Sequence, residues 1–201
     1  MNPGLVLYVR SRSLPLALAA LAATAVAAVW AAGAQDAFLD PARRTPVIVL
    51  APLAVAAVIG ASLHSDSAEL DRTAVRPWWP RRLAHLLTLT VLASALLPPA
   101  VAGHAETFGA PAMIRNTLGC VGVTALAAVV VGARLSWLPA LAYVSAVCLV
   151  SSGARGRAAT VWAWPVQPGP QPGAWAAALA AFALGTVLYA LRGARPERPG
   201  G

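Results

Sequence analysis

Three groups of polar or amphipathic residues interrupt an otherwise apolar chain, and their spacing limits the chemistry open to it. The first occupies positions 66–76 and includes Asp66, Glu69, Leu70, Asp71, Arg72 and Arg76. Asp66 followed three residues later by Glu69 is a variant of the capping box that opens a helix. Glu69, Arg72 and Arg76 follow the i, i+3, i+7 spacing of one helical face, while Leu70 and Ala74 form another. The pattern predicts a short amphipathic helix that Pro77 ends. Such a helix either links two apolar segments or presents its charged face to a partner protein.

The second group is Arg115 and Asn116, with His104 and Glu106 shortly before them. Arg115 at the start of an apolar run can snorkel to lipid headgroups or pair with Glu106 to close one side of a bundle. The third is Trp162 and Trp164 in a stretch with Pro165, Pro168, Pro170 and Pro172. Indoles suit the membrane interface and spaced prolines a stiff linker, so this segment is an interfacial anchor or part of an outer gate. His85 is a candidate pH-sensitive group, or a partner for a headgroup or a neighbouring carbonyl.

Other chemistries find no residues to carry them. All fifteen basic residues are Arg, so the chain has no Lys for a Walker A loop or a Schiff base. The seven carboxylates, at 36, 40, 66, 69, 71, 106 and 197, all lie outside the apolar runs, where coupling to protons or cations normally needs them inside. Ser94 and Ser145 fall mid-run with no His at comparable depth, which argues against an intramembrane hydrolase. Cys120 and Cys148 are also mid-run and are expected to pack as small apolar groups, not to bridge or to hold zinc. No catalytic, cofactor-binding or metal-ligating residue is therefore assigned. The pI near 11.2 comes from Arg scattered among loops, which predicts membrane topology and no nucleic-acid partner.

The elements that must position these residues follow from hydropathy. With 59% hydrophobic and 11% charged residues and a mean hydropathy of +0.69, the chain departs from soluble domains, which carry about 25% charge. Six apolar runs, at about 14–33, 46–63, 83–103, 114–133, 135–153 and 174–191, each meet the roughly 20-residue length that a bilayer core demands of a helix. Lipid offers no partner to an unpaired amide, so these are helices in one transmembrane domain covering 1–201. The first run exceeds the length of a signal h-region and is taken as a retained span. Only Arg134 separates spans four and five, so 132–134 must make a tight turn. Small residues such as Gly119 and Gly122 in span four, and the alanines of span one, permit close helix approach, including contact with a second copy. The expected fold is an all-α, polytopic membrane protein with six spans.

With the N-terminus inside, ten Arg (10, 12, 72, 76, 81, 82, 134, 192, 195 and 198) lie on the inner side and five (43, 44, 115, 155 and 157) on the outer. The positive-inside rule then puts both termini in the cytoplasm.

Six spans, a polar helix after span two, a tight turn after span four and a longer outer segment before span six together resemble the permease subunits of ABC-2 type exporters. The stretches carrying the likeness are Glu69-Leu70-Asp71-Arg72-Thr73-Ala74-Val75-Arg76-Pro77, Arg81-Arg82-Leu83-Ala84-His85-Leu86-Leu87, Arg115-Asn116-Thr117-Leu118-Gly119, and Gly132-Ala133-Arg134-Leu135-Ser136-Trp137-Leu138-Pro139. They are similar to divergent permease-like proteins of GC-rich bacteria. The likeness implies a bacterial cytoplasmic membrane location, a separate ABC ATPase subunit that holds ATP and Mg, and a second permease copy or homologous permease. It also implies that 66–76 is the coupling helix touching that ATPase, and that short re-entrant or interfacial helices precede the last span. The alternative reading is a membrane assembly or immunity protein that transports nothing.

The topology makes a direct prediction. Cysteines introduced near Ala37 and Pro168 should react with an impermeant reagent from outside, and those near Ala68 and Gly200 should not; labelling at Ala68 in sealed cells would overturn the orientation.

Overall fold

The computed structural model describes residues 14–34, 45–64, 78–101, 108–151 and 157–196. Every regular element among them is helical: α1 Leu14–Ala34, α2 Thr45–Ser62, α3 Trp79–Leu96, α4 Ala110–Val131, α5 Trp137–Val150, α6 Arg157–Trp162 and α7 Pro172–Arg192. Short 3-10 turns follow α3, at Pro98–Val101, and α6, at Trp164–Val166. Five helices are long and apolar enough to cross a membrane: Leu14–Ala34, Thr45–Ser62, Trp79–Val101, Ala110–Val131 and Pro172–Arg192. Large apolar side chains also point outward, with Trp30 75%, Val26 70% and Leu149 82% exposed, a surface suited to lipid and not to water. The chain is a multi-pass membrane protein.

Helix starts differ from the sequence expectation in a consistent direction. Spans three, four and six begin a few residues earlier than the apolar runs, at Trp79, Ala110 and Pro172, because Pro80, Pro111 and Pro172 occupy the first turn. There the missing N–H would be unpaired anyway and the fixed φ suits the helix. Arg81 and Arg82 consequently lie within the first turn of α3.

The fifth run forms a shorter helix. Trp137–Val150 has 14 residues, a rise of about 21 Å against a bilayer core of about 30 Å. After α4 ends at Gly132, whose φ of 97° only glycine adopts freely, the chain turns back into the bundle. Ala133 and Ser136 are buried, and Ser136 donates to the Ala133 carbonyl at 2.7 Å. A Cβ on Gly60 of α2 would lie 2.5 Å from Ser136 Oγ and 2.6 Å from Thr124 Cγ2, so Ser136 sits level with Thr124, about two turns inside the end of α4. The non-helical residues 132–136 thus occupy depth that a longer helix would have covered.

α4 is the central helix. It shares its most extensive interface with α7, a second with α2, and touches α3 and α5. At the α4–α7 crossing, a Cβ on Gly185 would fall 2.0 Å from the Gly122 carbonyl oxygen, and a Cβ on Gly122 would fall 2.4 Å from the Phe182 nitrogen. Backbone meets backbone here, which only glycine allows. The small-residue face of span four, expected to be open to a second copy, is therefore taken by α7 within the same chain. α1 has fewer internal contacts and keeps most of its circumference exposed.

Replacing Gly185 with Leu should force α4 and α7 apart and lower stability by at least about 1–3 kcal/mol. Ala183→Leu on the exposed face of the same helix should be neutral. Thermal unfolding of the two variants in detergent checks this, and equal midpoints would show that the crossing tolerates separation.

Candidate functional site

Arg115 and Asn116, on the second turn of α4, are both completely buried. Arg115 reaches no headgroup. Its Nε and Nη2 donate to Asn116 Oδ1, each at 3.1 Å, its Nη2 also donates to the Gln167 carbonyl at 2.7 Å, and its Nη1 donates to the Pro168 carbonyl at 2.8 Å. The Asn116 amide nitrogen donates to the Ile48 carbonyl at 3.1 Å and the Pro165 carbonyl at 2.7 Å. Asn116 thereby uses both acceptor positions and both donors.

The Ile48 carbonyl has a covalent reason to need a partner. Pro52 lies inside α2 and has no N–H for the carbonyl four residues earlier, which is Ile48; Asn116 supplies the missing donor. Pro165, Gln167 and Pro168 belong to a stretch with two prolines at 165 and 168 and little helical bonding. Gln167 and Pro168 are half-buried, and the Pro168 carbonyl also accepts from the Gln171 N–H at 3.4 Å. The guanidinium is in turn stabilised by neutral carbonyl and amide oxygens, since none of the seven carboxylates falls among the described residues. Glu106, the expected partner of Arg115, lies outside them.

The clamp holds a segment that folds back into the bundle. α6 leads through Ala163 to Trp164, which is buried against α4: a Cβ on Gly119 would lie 2.3 Å from Trp164 Cη2. Gly119 is nine residues from Ala110, so the ring reaches about 14 Å along α4, near its midpoint. Tyr143 of α5 stacks on Trp164 with centroids 6.0 Å apart and 27° between planes, and its hydroxyl donates to the Trp162 carbonyl. Trp175 donates from Nε1 to the Gly169 carbonyl at 2.8 Å, and Gln167 Nε2 to the Ala159 carbonyl at 3.4 Å. Residues 157–171 are thus a short helix and a 3-10 turn tied to α4, α5 and α7, and not the extended linker that their prolines suggest. Trp162 is 38% exposed, while Trp164 is only 4% exposed.

The structure therefore brings Arg115, Asn116, Trp162 and Trp164 into one assembly. The proposed docking residues Asp66, Glu69, Leu70, Asp71, Arg72 and Arg76 lie outside the described residues.

His85, a candidate from its sequence position, has a partner that the sequence did not indicate. His85 Nε2 lies 3.1 Å from Ser62 Oγ, both residues being buried. Ser62 places its one hydroxyl proton on the Ile59 carbonyl at 2.7 Å, so Nε2 is the donor. This direction is opposite to that of a base activating a serine, and the pair ties the end of α2 to the start of α3. Nothing in the spacing announces it, because Ser62 and His85 are 23 residues apart on different helices. Among the described residues no three His, Cys, Asp or Glu cluster as metal ligands.

Removing the guanidinium leaves the buried Asn116 Oδ1 without its donors and takes a donor from each of the Gln167 and Pro168 carbonyls. Arg115→Met should cost on the order of 3 kcal/mol and make a cysteine placed at Gln167 react faster with a thiol reagent, in a background with Cys120 and Cys148 replaced by Ala. Unfolding in detergent and labelling rates provide the check; wild-type values for both would mean the clamp carries no load.

No protein-family model matches the chain, nor does any curated protein or solved structure.

Proposed function

We propose that this chain is the transmembrane permease subunit of an ATP-driven transporter of the ABC-2 kind, an exporter working with a separate cytoplasmic ATPase that binds ATP and Mg. The observation carrying this reading is the folded-back segment 157–171. It lies between the fifth and last long apolar segments, where the resembled permeases place short re-entrant helices. It also occupies the end of the bundle opposite Arg81, Arg82, Arg134, Arg192 and Arg195.

In this reading α5 and the buried turn before it complete a sixth crossing, and the Arg-rich end faces the cytoplasm of a bacterium. The clamp is the outer closure. Four carbonyls and one indole seal the space beside α4, and their release would be a joint event, because Arg115 and Asn116 hold one another as well as the segment. A second copy or homologous permease would meet the chain along α1, the least covered long helix, since α4 is enclosed. Coupling would enter through 66–76, which connects α2 to α3 beside the Ser62–His85 bond. That bond makes the two helices respond together.

A specific observation favours the alternative of a membrane assembly or immunity partner without transport. The interior around α4 is close-packed, and an open cleft of about 210 Å³ is apolar and lies between α1 and α2, lined by Thr24, Ala28, Val47 and Leu50 among others. It offers no polar route across the bundle.

The two readings separate on the ATPase. Wild-type chain should copurify with an ABC ATPase and stimulate its hydrolysis, and exchanging charges in Glu69→Arg/Arg72→Glu should weaken both, because like-charge juxtaposition at an interface costs several kcal/mol, while expression is unchanged. Unaltered binding and stimulation in the double variant would remove 66–76 as the coupling helix. Absence of any ATPase with wild type would leave the non-transporting reading.

A further inference from the structure

α1 and α2 part along one flank of the bundle and leave the open cleft of about 210 Å³ between them. Its α1 wall carries Thr24, Ala27 and Ala31, which follow the i, i+3, i+7 spacing of one helical face, and its α2 wall carries Val47, Leu50 and Ala54, which repeat that spacing. Each wall extends about 10 Å along its helix, within the roughly 15 Å that one leaflet contributes to a bilayer core. The cleft is therefore a groove running with two membrane-spanning helices, the direction in which lipid chains lie.

Of the described residues lining it, Thr24 alone has a polar side chain, and its hydroxyl donates to the Ala20 carbonyl at 2.8 Å. With that one proton directed within α1, the walls offer an occupant alanine, valine, leucine and proline. Water needs two to four polar partners, and apolar cavities of this order stay dry and take up hydrocarbon. A protein helix, about 10–12 Å across with its side chains, is too wide for a groove of this volume, whereas one unbranched hydrocarbon chain fits. Ala27 and Ala54 line the groove and are nonetheless exposed, since among the described residues no side chain fills the space beside them.

The α2 wall is fixed from behind. Pro52 interrupts the helix within the lining stretch, and the freed Ile48 carbonyl is taken by Asn116 of α4 at 3.1 Å. Val47 is packed into the core and Leu50 stands 58% exposed at the mouth. A wall held in this way is in place before anything binds, which lowers the ordering cost of binding.

We propose that the cleft between α1 and α2 is a binding site for one acyl chain of a membrane phospholipid. The chain lies between Ala27 and Ala31 on one side and Val47 and Leu50 on the other, with protein atoms on both flanks. Lipid tails are as apolar as these walls, so close contact selects the occupant and not a hydrophobic effect. Val26 and Trp30, each one residue ahead of a lining alanine and so turned about 100° from the seat, stay free for contact with a second copy. The inference rests on the chain spanning a membrane and holds whether or not an ATPase binds it.

Photolabelling of the full chain in phosphatidylcholine vesicles tests it, the probe being phosphatidylcholine with a diazirine midway along one acyl chain. Adducts located by peptide mass spectrometry should fall on 24–31 and 46–54 about fivefold more often than on α7 at the exposed Leu179 and Leu184. Ala27→Leu/Ala54→Leu fills the groove from its two exposed edges and should bring cleft labelling down to the α7 level, with α7 labelling unchanged. Ala27→Leu alone, which alters one wall, supplies the same comparison should the paired substitution impair folding. Wild-type labelling no higher at the cleft than on α7, or cleft labelling that survives both the single and the paired substitution, would overturn the site. A cysteine at Ala27 that cross-links to a second copy, in place of lipid adducts on the cleft walls, would assign the groove to a dimer and overturn the lipid assignment equally.

Discussion

Inside a bilayer a backbone carbonyl that loses its helical donor has no water to turn to, and this chain loses such a donor where Pro52 stands inside α2. Asn116 bonds two carbonyls with one amide, Ile48 below the buried Pro52 and Pro165 in the fold-back segment. Arg115 bonds the Gln167 and Pro168 carbonyls, the second of which the Gln171 N–H also reaches, and its other donors converge on Asn116 Oδ1. The cation is bearable there because several oxygens share it, much as a hydration shell would. Without this pair, α2 would carry an orphaned carbonyl and 165–168 would lose these hydrogen bonds to α4.

The same helix sets the remaining architecture. Arg115 and Asn116 reach α2 and the fold-back segment, Gly119 receives the Trp164 ring, Gly122 admits α7, and Thr124 faces Gly60. These five contacts lie within ten residues and point in different directions, so α4 is enclosed. That enclosure moves any contact with another subunit to the outer helices and makes α1, with its exposed Val26 and Trp30, the available surface. The fold-back segment is held by the same helix, through Arg115, Asn116 and the face of Gly119.

The two ends of the bundle differ in kind. One holds a buried guanidinium bonded to two main-chain carbonyls and to Asn116 Oδ1. The other gathers exposed guanidiniums on helix C-termini, where the macrodipole favours them. The exposed guanidiniums and the carbonyl-bound guanidinium of Arg115 thus lie at opposite ends of the bundle.

The apolar runs alone determined that the chain crosses a membrane as helices, because a bilayer demands length and hydropathy and both are properties of composition along the chain. The polar residues that hold the fold-back segment, Arg115, Asn116 and Trp164, were legible as candidates, since a polar group beside a membrane span is conspicuous. Their partners were not: main-chain carbonyls carry no residue signature, so no spacing could announce that Arg115 would bond Gln167 and Pro168 in place of a carboxylate or a headgroup. Proline misled in both directions, delaying the expected starts of α3, α4 and α7 and suggesting a linker where a folded segment lies. Tertiary structure alone decided the Ser62–His85 bond, the Gly122–Gly185 crossing and the shortened α5, because each depends on which helices become neighbours, and in lipid that choice is made by close packing and hydrogen bonding between segments far apart in sequence.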